Sequence, residues 1–321
     1  MKYLLYTALM SAALLLLSSC QERTASVEES AVEFTVATKA GGEGRLTRLY
    51  VAERVGEHDN GEPLHCTRVE DLAPVGADGA TSYNLLNMTA QWYKFAFVSV
   101  PSVEGVMPVV DPTDAESCDF NSIVIDYTPV IKAQAQDSTL SHMTDLHIYR
   151  QVIDRWLKPG ETLTEDVTLS RITGRLELDM GIPEDQFRSE IESITLNLTA
   201  VPAGVYLRDE ADGKILTVGN VNQQIFEFTE FNWGQRQHYV IRLDLLPGDI
   251  SGTVVVMYKD GSAGDAYRLM SEDGTVSIKA GTRTKVRFNG IGDGSFEVRY
   301  AGFPGDDAAV IGVDEDVWNE Q

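Results

Sequence analysis

The sequence predicts an all-β protein with two β-sandwich domains of the transthyretin- or immunoglobulin-like kind and few short helices. Many short segments alternate apolar and polar residues, and a period of two is the pattern of a strand with one buried face. Asp-Gly and similar dipeptides separate several of these segments, which is typical of tight connections between antiparallel strands. Regular short strands with such turns favour sandwiches. The turn dipeptides include those at 60–61, 78–79, 212–213, 247–248, 260–261, 273–274 and 293–294.

The first half of the chain begins with a clear alternation. Val32, Phe34 and Val36 fall on one side of a segment that we expect to be the first strand. Residues 91–100 (QWYKFAFVSV) are apolar at neighbouring positions, which predicts a strand buried on both faces. Further apolar runs that predict strands in this half are 46–55 and 123–125.

The second half alternates more regularly, and helical spacing is scarce. Residues 184–192 follow Pro183, which favours the first turn of a short helix. Residues 137–157 can include another, because Leu140 and Met143 have helical spacing. The segments that predict strands here are 172–180, 194–200, 239–245, 252–258, 286–288 and 296–300.

A break between the two domains is expected near residues 158–166 (KPGETLTED). Pro-Gly and charged residues interrupt the apolar pattern at this point. The resulting N-terminal domain of residues 31–160 and C-terminal domain of residues 165–321 both have an ordinary domain size.

The N-terminus combines a short apolar run with a cysteine. Lys2 precedes the run Leu4–Leu17, which is too short to span a bilayer comfortably but has the length of a signal-peptide core. Leu17-Ser18-Ser19-Cys20 follows and resembles a bacterial lipobox, in which the cysteine sulfur receives diacylglycerol. We therefore expect residues 1–19 to be a lipoprotein signal peptide, Cys20 to carry acyl chains such as palmitate, and the polar residues 20–30 to be a tether. An ordinary signal peptide with a coincidental cysteine, or a retained membrane anchor, is the alternative.

The charge balance excludes two classes of function. The chain of 321 residues has 26 Lys and Arg against 49 Asp and Glu, a formal net charge of −23. A field of this sign repels phosphate backbones, so we expect no nucleic-acid partner. Electrostatic attachment to an anionic membrane surface is disfavoured for the same reason, so attachment requires a covalent lipid or an apolar segment.

Two cysteines remain after Cys20. If the chain is exported, the compartment permits a disulfide between Cys66 and Cys118, and two buried free thiols are the alternative. A zinc site is less favoured, because His65 is the only other ligand type close by.

No catalytic or metal-binding motif stands out. The sequence contains no HExxH, no GxSxG elbow and no phosphate-binding glycine loop. Glu227 and Glu230 are close enough to suggest an acid–base pair, but acidic residues on solvated strands explain them equally simply. The acidic segments 111–121 and 305–316 lack the residue order of a helix–loop–helix calcium site. We therefore expect no enzymatic activity, no cofactor and no metal.

Short motifs stand near the entry of each predicted domain. The first strand ends in Ala37–Ala40 (ATKA), with Arg45 and Arg48 beyond it. Residues 167–178 contain the run Leu-x-Arg-x-x-Gly-Arg-Leu-x-Leu, and Gly281–Thr284 (GTRT) precedes a late strand. With the lipobox, the tether and the two-domain β body, these motifs resemble the fimbrillin-type subunits of type V pili, most of all their minor and anchor lipoprotein members.

This resemblance implies an outer-membrane lipoprotein that is a subunit of a surface fimbria and supports adhesion. Such subunits bind other fimbrial subunits by strand exchange, in which an extended segment of one subunit adds to a sheet of the next. In stalk subunits, cleavage after an arginine removes the first strand, and Arg45, or alternatively Arg48, is the corresponding position here. Anchor members keep the lipid and the first strand. Residues 308–318 (AAVIGVDEDVW) could donate a strand, or could be a final edge strand or tail.

A surface glycan-binding lipoprotein is the alternative function. Such modules present aromatic platforms, and Trp233, in a predicted turn, is the first candidate. Trp92, Trp156 and Trp318 are further candidates, although a tryptophan that packs in the core is equally compatible with the sequence.

Overall fold

The computed structural model describes residues 29–38, 44–54, 64–73, 80–137, 140–209, 214–229, 238–269, 275–288 and 296–302. Strands dominate this part of the chain, so the predicted all-β class is confirmed. Its strands are β1 (Ser30–Thr38), β2 (Arg45–Arg54), β3 (Cys66–Leu72), β4 (Ala80–Met88), β5 (Trp92–Pro101), β6 (Val109–Asp111), β7 (Val124–Asp126), β8 (Tyr149–Trp156), β9 (Thr162–Arg171), β10 (Gly174–Pro183), β11 (Ile191–Asp209), β12 (Ile215–Phe228), β13 (His238–Leu245), β14 (Gly248–Tyr258), β15 (Ala263–Leu269), β16 (Val276–Ile278), β17 (Thr282–Phe288) and β18 (Phe296–Gly302).

Helices are short in the described ranges. They are α1 (Thr128–Gln136), α2 (Leu140–Met143) and α3 (Glu184–Glu190), with a 3-10 turn at Phe120–Ser122. α2 and α3 fall inside the two segments predicted to be helical, and α3 begins directly after Pro183. None of the described helices is long and apolar enough to cross a membrane.

The N-terminal half forms one sheet of seven strands in the order β3-β2-β5-β8-β9-β1-β4. β1 lies inside this sheet, parallel to β9 and antiparallel to β4. All seven strands contribute side chains to one apolar core, so the sheet is curved around that core. The core includes Val32, Phe34, Val36, Leu49, Val51, Phe95, Phe97, Leu85, Tyr149, Val167 and Leu169.

The C-terminal half contributes two sheets that face each other. One has the order β13-β10-β17-β18, with β10 and β17 parallel. The other has the order β15-β14-β11-β7-β6, with β12 paired to β11 and β16 to β14. Apolar side chains of both sheets share a second, larger core, which makes this half a sandwich. Members of this core include Leu176, Leu178, Ile194, Leu196, Phe226, Ile241, Leu243, Val254 and Val286.

β5 is buried on both faces, as the sequence predicts. Phe95 and Phe97 point into the core of the first sheet, whereas Ala96 and Val98 belong to the larger core. The strand therefore joins the two halves of the molecule through its side chains.

The sheets group the strands differently from the two residue ranges predicted as domains from the sequence. The predicted break at 158–166 covers the connection after β8 and the first half of β9, and these two strands pair within the first sheet. β6 and β7, which precede this break, extend the C-terminal sheet because β7 pairs with β11. The division into residues 31–160 and 165–321 remains a prediction.

The surroundings of Gly174 explain why a glycine stands in the run Leu-x-Arg-x-x-Gly-Arg-Leu-x-Leu. A Cβ atom at this position would collide with the carbonyl group of Lys279 and the side chain of Ile278. Only glycine lets the start of β10 approach residues 278–279 this closely.

Candidate functional site: the first strand and the buried arginines

β1 occupies an interior slot between β4 and β9. Residues 31–38 run in parallel register with Thr162–Leu169, and Val32–Ala37 pairs with β4 on the other side. The start of the strand is also tied to the β8–β9 connection, because Ala31 N donates to Glu161 O at 2.9 Å. Removal of β1 would thus leave two strands with unpaired backbone groups facing each other across an open slot.

The inward face of β1 is apolar and fully buried. Val32 and Val36 are 0% exposed and Phe34 is 1% exposed. The Phe34 ring meets Phe95 and Phe97 edge to face, with centroids 5.1 and 4.9 Å apart. Burial of each such side chain contributes about 1.5–3 kcal/mol, so the slot binds an alternating apolar segment strongly.

Arg45 lies at the start of β2 and is buried. Its Nη2 donates to Ser99 O at 2.9 Å and to His147 O, and its Nε donates to Ser99 Oγ at 3.0 Å. The guanidinium also lies 4.8 Å from the centroid of the Tyr149 ring and 3.5 Å from a carboxylate oxygen of Asp145. Arg45 therefore joins β2, β5 and the start of β8.

Arg48 is also buried, three positions further along β2. Its Nε and Nη2 donate to the two carboxylate oxygens of Asp71 at 2.6 and 3.1 Å, and its Nη1 donates to Val110 O at 3.1 Å. Because Val110 belongs to β6, this side chain connects the first sheet to the C-terminal sheet.

The setting of the two arginines bears on the predicted protease cleavage. β2 pairs with β3 on one side and with β5 on the other, and the side chains of Arg45 and Arg48 are only 4% and 10% exposed. A protease needs an extended, accessible segment, so in the folded chain neither bond is presented for cleavage. Cleavage after Arg45 or Arg48 remains a prediction for a chain that is open at β2.

A buried ionic network at the junction of the sheets escaped the sequence analysis. Arg175 donates to both carboxylate oxygens of Asp244, at 2.7 and 3.0 Å, and Asp244 is 0% exposed. His147 Nδ1 lies 2.8 Å from Thr173 Oγ1, and its Nε2 lies 3.4 Å from Asp244 Oδ1. Gln134 of α1 exchanges two hydrogen bonds with the backbone of Asp244.

Burial dominates the electrostatics of this network. It lowers the pKa of the His147 imidazole well below its ordinary value, and the nearby guanidinium of Arg175 lowers it further. The ring is therefore neutral at pH 7. Burial raises the pKa of the Asp244 carboxyl group, and Arg175 opposes that increase. No partner chain or ligand is needed to explain these groups, because each contacts others within the junction.

Cys66 and Cys118 are joined as a disulfide with their Cα atoms 5.3 Å apart. The backbone is paired at the same place, because Cys66 N donates to Cys118 O at 3.1 Å. The disulfide joins the segment before the 3-10 turn to β3, the edge strand of the first sheet.

Several predicted sites lie outside the described residues. These are the lipid-bearing Cys20, the Trp233 platform and the candidate donor segment 308–318. The structure does describe Trp92 and Trp156, which stand opposite each other on β5 and β8.

The structure describes only part of the residues considered above as metal or acid–base sites. The described residues include no group of three or more His, Cys, Asp or Glu side chains placed to hold a metal ion. Glu227 is exposed on β12, and Glu230 lies outside the described residues.

Comparison with known proteins shows a fold shared with solved structures at low sequence identity. The sequence matches no protein-family model and no curated protein. A candidate cell adhesion protein of Bacteroides eggerthii superposes with a TM-score of 0.51 at 10% identity, covering 86% of this chain and 96% of the other. A candidate adhesin of Bacteroides thetaiotaomicron gives 0.50 at 10% identity, with 86% and 97% covered. The fimbrial anchor protein Mfa2 of Porphyromonas gingivalis gives 0.49 at 8% identity, with 86% and 98% covered. The chain therefore has the fold of the first two proteins over nearly their whole length.

Proposed function

We propose that this chain is an outer-membrane lipoprotein and a structural subunit of a surface fimbria, an anchor or minor component that supports adhesion. The observation that carries the proposal is β1, a strand held in an interior slot by backbone pairing on both sides and by three buried side chains. The shared fold with the Bacteroides adhesion proteins supports it.

Strand exchange would use the unpaired backbone groups and the apolar side-chain pockets of this slot. A segment from a neighbouring subunit can replace β1 if it is extended and carries apolar side chains at alternate positions, because the ladder hydrogen bonds bind it and the pockets of Val32, Phe34 and Val36 select it. Conversely, a segment of this chain can enter the slot of a neighbour, and residues 308–318 are the candidate.

The proposed anchor role rests on the position of the lipid-bearing Cys20 before β1 in the chain. Cys20 precedes β1 by about ten residues, so a chain that keeps β1 also keeps the lipid. The burial of Arg45 and Arg48 supports a subunit that retains both. Two or three acyl chains hold a protein on a membrane stably, whereas one does not.

The first experiment is an intact mass with N-terminal sequencing of the protein from its native outer membrane. An acylated Cys20 on an uncut chain supports the anchor. A chain that begins at Leu46 or Leu49 would contradict the anchor role and indicate a polymerising stalk subunit.

A second experiment tests the slot directly. A variant that lacks residues 30–44 is mixed with a synthetic peptide of residues 30–38, and the thermal unfolding temperature is measured. The peptide should bind and raise that temperature. The same peptide with Phe34→Ala is the matched control and should bind more weakly; equal effects of the two peptides would argue against a side-chain-selective slot.

A further inference from the structure

One end of the first sheet presents a pair of tryptophans, of which Trp156 is exposed and Trp92 is half-buried. Trp92 begins β5 and Trp156 ends β8, and they are direct cross-strand partners. The two rings lie 5.8 Å apart between centroids, with their planes tilted by 56°. Trp156 is 45% exposed, so part of its indole is open to solvent.

Charged groups are fixed beside these rings. Arg54 is the cross-strand neighbour of Trp92 on β2, and its guanidinium carbon lies 5.3 Å from the Trp92 ring centroid. Its Nη1 lies 3.1 Å from Asp154 Oδ1. The Arg54 side chain is 10% exposed and that of Asp154 is 41% exposed, so a buried guanidinium holds a solvent-facing carboxylate in place next to the indoles.

The rest of this face of the sheet is covered. Lys94, two residues beyond Trp92 on the same face, has its ammonium nitrogen 5.6 Å from the centroid of the Phe120 ring, and Phe120 is 0% exposed. The segment that contains Phe120 thus covers the face up to Lys94, and within the part of the chain that the structure describes Trp156 is the large aromatic side chain that stays exposed on this face.

We propose that Trp92, Trp156, Arg54 and Asp154 form a binding site for a neutral saccharide. The C–H face of a sugar ring packs on an indole, while the hydroxyl groups at the ring edge require hydrogen-bond donors and acceptors beside it. The site supplies the exposed indole of Trp156 beside the half-buried indole of Trp92, and the exposed carboxylate of Asp154, which Arg54 fixes in place, accepts hydrogen bonds at their border.

The size of the patch favours a saccharide over a protein. A stable protein interface needs a broad apolar centre of many side chains. In the described ranges the other exposed large apolar side chains lie on other elements, such as Leu86 on β4, Val109 on β6 and Ile225 on β12. Trp156 is thus a small aromatic patch among polar groups.

The charge favours a neutral sugar over an acidic one. Arg54 is already paired with Asp154, and the formal net charge of −23 repels polyanions. This inference differs from the predicted platform at Trp233, and it does not depend on a fimbrial role, because the isolated chain would bind the sugar by itself.

The test is affinity electrophoresis of the full chain in native gels that contain a neutral polysaccharide: laminarin, mannan, xyloglucan or galactomannan. At least one should retard the protein. Trp156→Ala should weaken that binding about tenfold or more, and Trp156→Phe should restore part of it because an aromatic face remains. Ile225→Ala, which removes an apolar side chain of similar exposure on β12, is the matched control and should bind as the native chain does.

Circular dichroism of each variant checks that it is folded. Retardation by none of the four polysaccharides, or undiminished binding by folded Trp156→Ala, would overturn the proposal. A fifth gel contains alginate, an acidic polysaccharide. Retardation in that gel alone would overturn the choice of a neutral sugar. If Trp156→Ala instead dissociates an oligomer of the native chain, as seen by sedimentation, the patch is a protein interface and the saccharide site is wrong.

Discussion

Removal of the Phe34 ring tests whether β1 is held as firmly as its burial indicates. The ring is 1% exposed and touches Phe95 and Phe97 edge to face. Phe34→Ala leaves the backbone pairing of β1 intact but empties the centre of its apolar face. Glu33→Ala is the matched control, because Glu33 is exposed on the opposite face of the same strand.

The expected loss can be worked out from these contacts. Truncation of a buried phenylalanine costs about 3–5 kcal/mol, and each edge-to-face contact is worth about 0.5–1.5 kcal/mol beyond its area. We therefore expect about 4 kcal/mol for Phe34→Ala and less than about 0.5 kcal/mol for Glu33→Ala. If β1 opens locally, 4 kcal/mol corresponds to roughly a thousandfold larger open population.

Hydrogen exchange with mass spectrometry measures this population. Amides of residues 30–38 should exchange about a thousandfold faster in Phe34→Ala and within tenfold of the native rate in Glu33→Ala. An acceleration below tenfold in Phe34→Ala would refute the reasoning. An equal acceleration of amide exchange in β10 and β11 would also refute the reasoning, because β1 would then open only when the whole chain unfolds.

Replacement of both Cys66 and Cys118 by serine should lower the free energy of unfolding by about 4 kcal/mol in urea denaturation, since their disulfide spans 52 residues; a loss under about 1 kcal/mol would argue against a bridge in the native chain. The pKa of His147 is lower in the folded chain than in the unfolded one. Below about pH 6.5 the unfolded chain therefore binds more protons, and the free energy of unfolding should fall as the pH decreases through that value. His147→Gln should make the decrease between pH 7 and 5 shallower, by up to about 1.4 kcal/mol per pH unit, and parallel curves would contradict a buried neutral imidazole. Trypsin should release no fragment that begins directly after Arg45 or Arg48 from the native chain, but should do so in denaturing urea; cleavage at equal rates in both conditions would contradict the burial of β2.

Alternation in the sequence was sufficient to predict the faces of several strands. Val32, Phe34 and Val36 share a buried face, as predicted, because burial on one side of a sheet imposes a period of two. β5 is buried on both faces along most of its length, as the apolar residues at neighbouring positions from Phe95 to Val98 indicate. These features depend only on local order along the chain.

The pairings between distant strands could not be predicted in this way. Arg175 and Asp244 meet because β10 and β13 pair in one particular register, and local periodicity does not specify that register. Trp92 and Trp156 become neighbours only through the pairing of β5 with β8. A charged residue in an otherwise apolar strand, such as Asp244, is the one sequence signal that could have indicated a buried ionic partner.

Under the proposed function, the order of Cys20, β1 and the arginines along the chain connects membrane attachment to assembly. A cut after Arg45 would remove Cys20 and empty the slot of β1 in a single event, since both precede that bond. A cut after Arg48 would also remove its bonds to Asp71 and Val110, which join the two sheets, so the product cut at Arg45 would retain more structure. Because Arg45 is buried, either cut has to precede folding or wait for β2 to open. A chain that folds before it meets such a protease would therefore keep Cys20 and its first strand, and a neighbouring segment could enter the slot only by displacing β1.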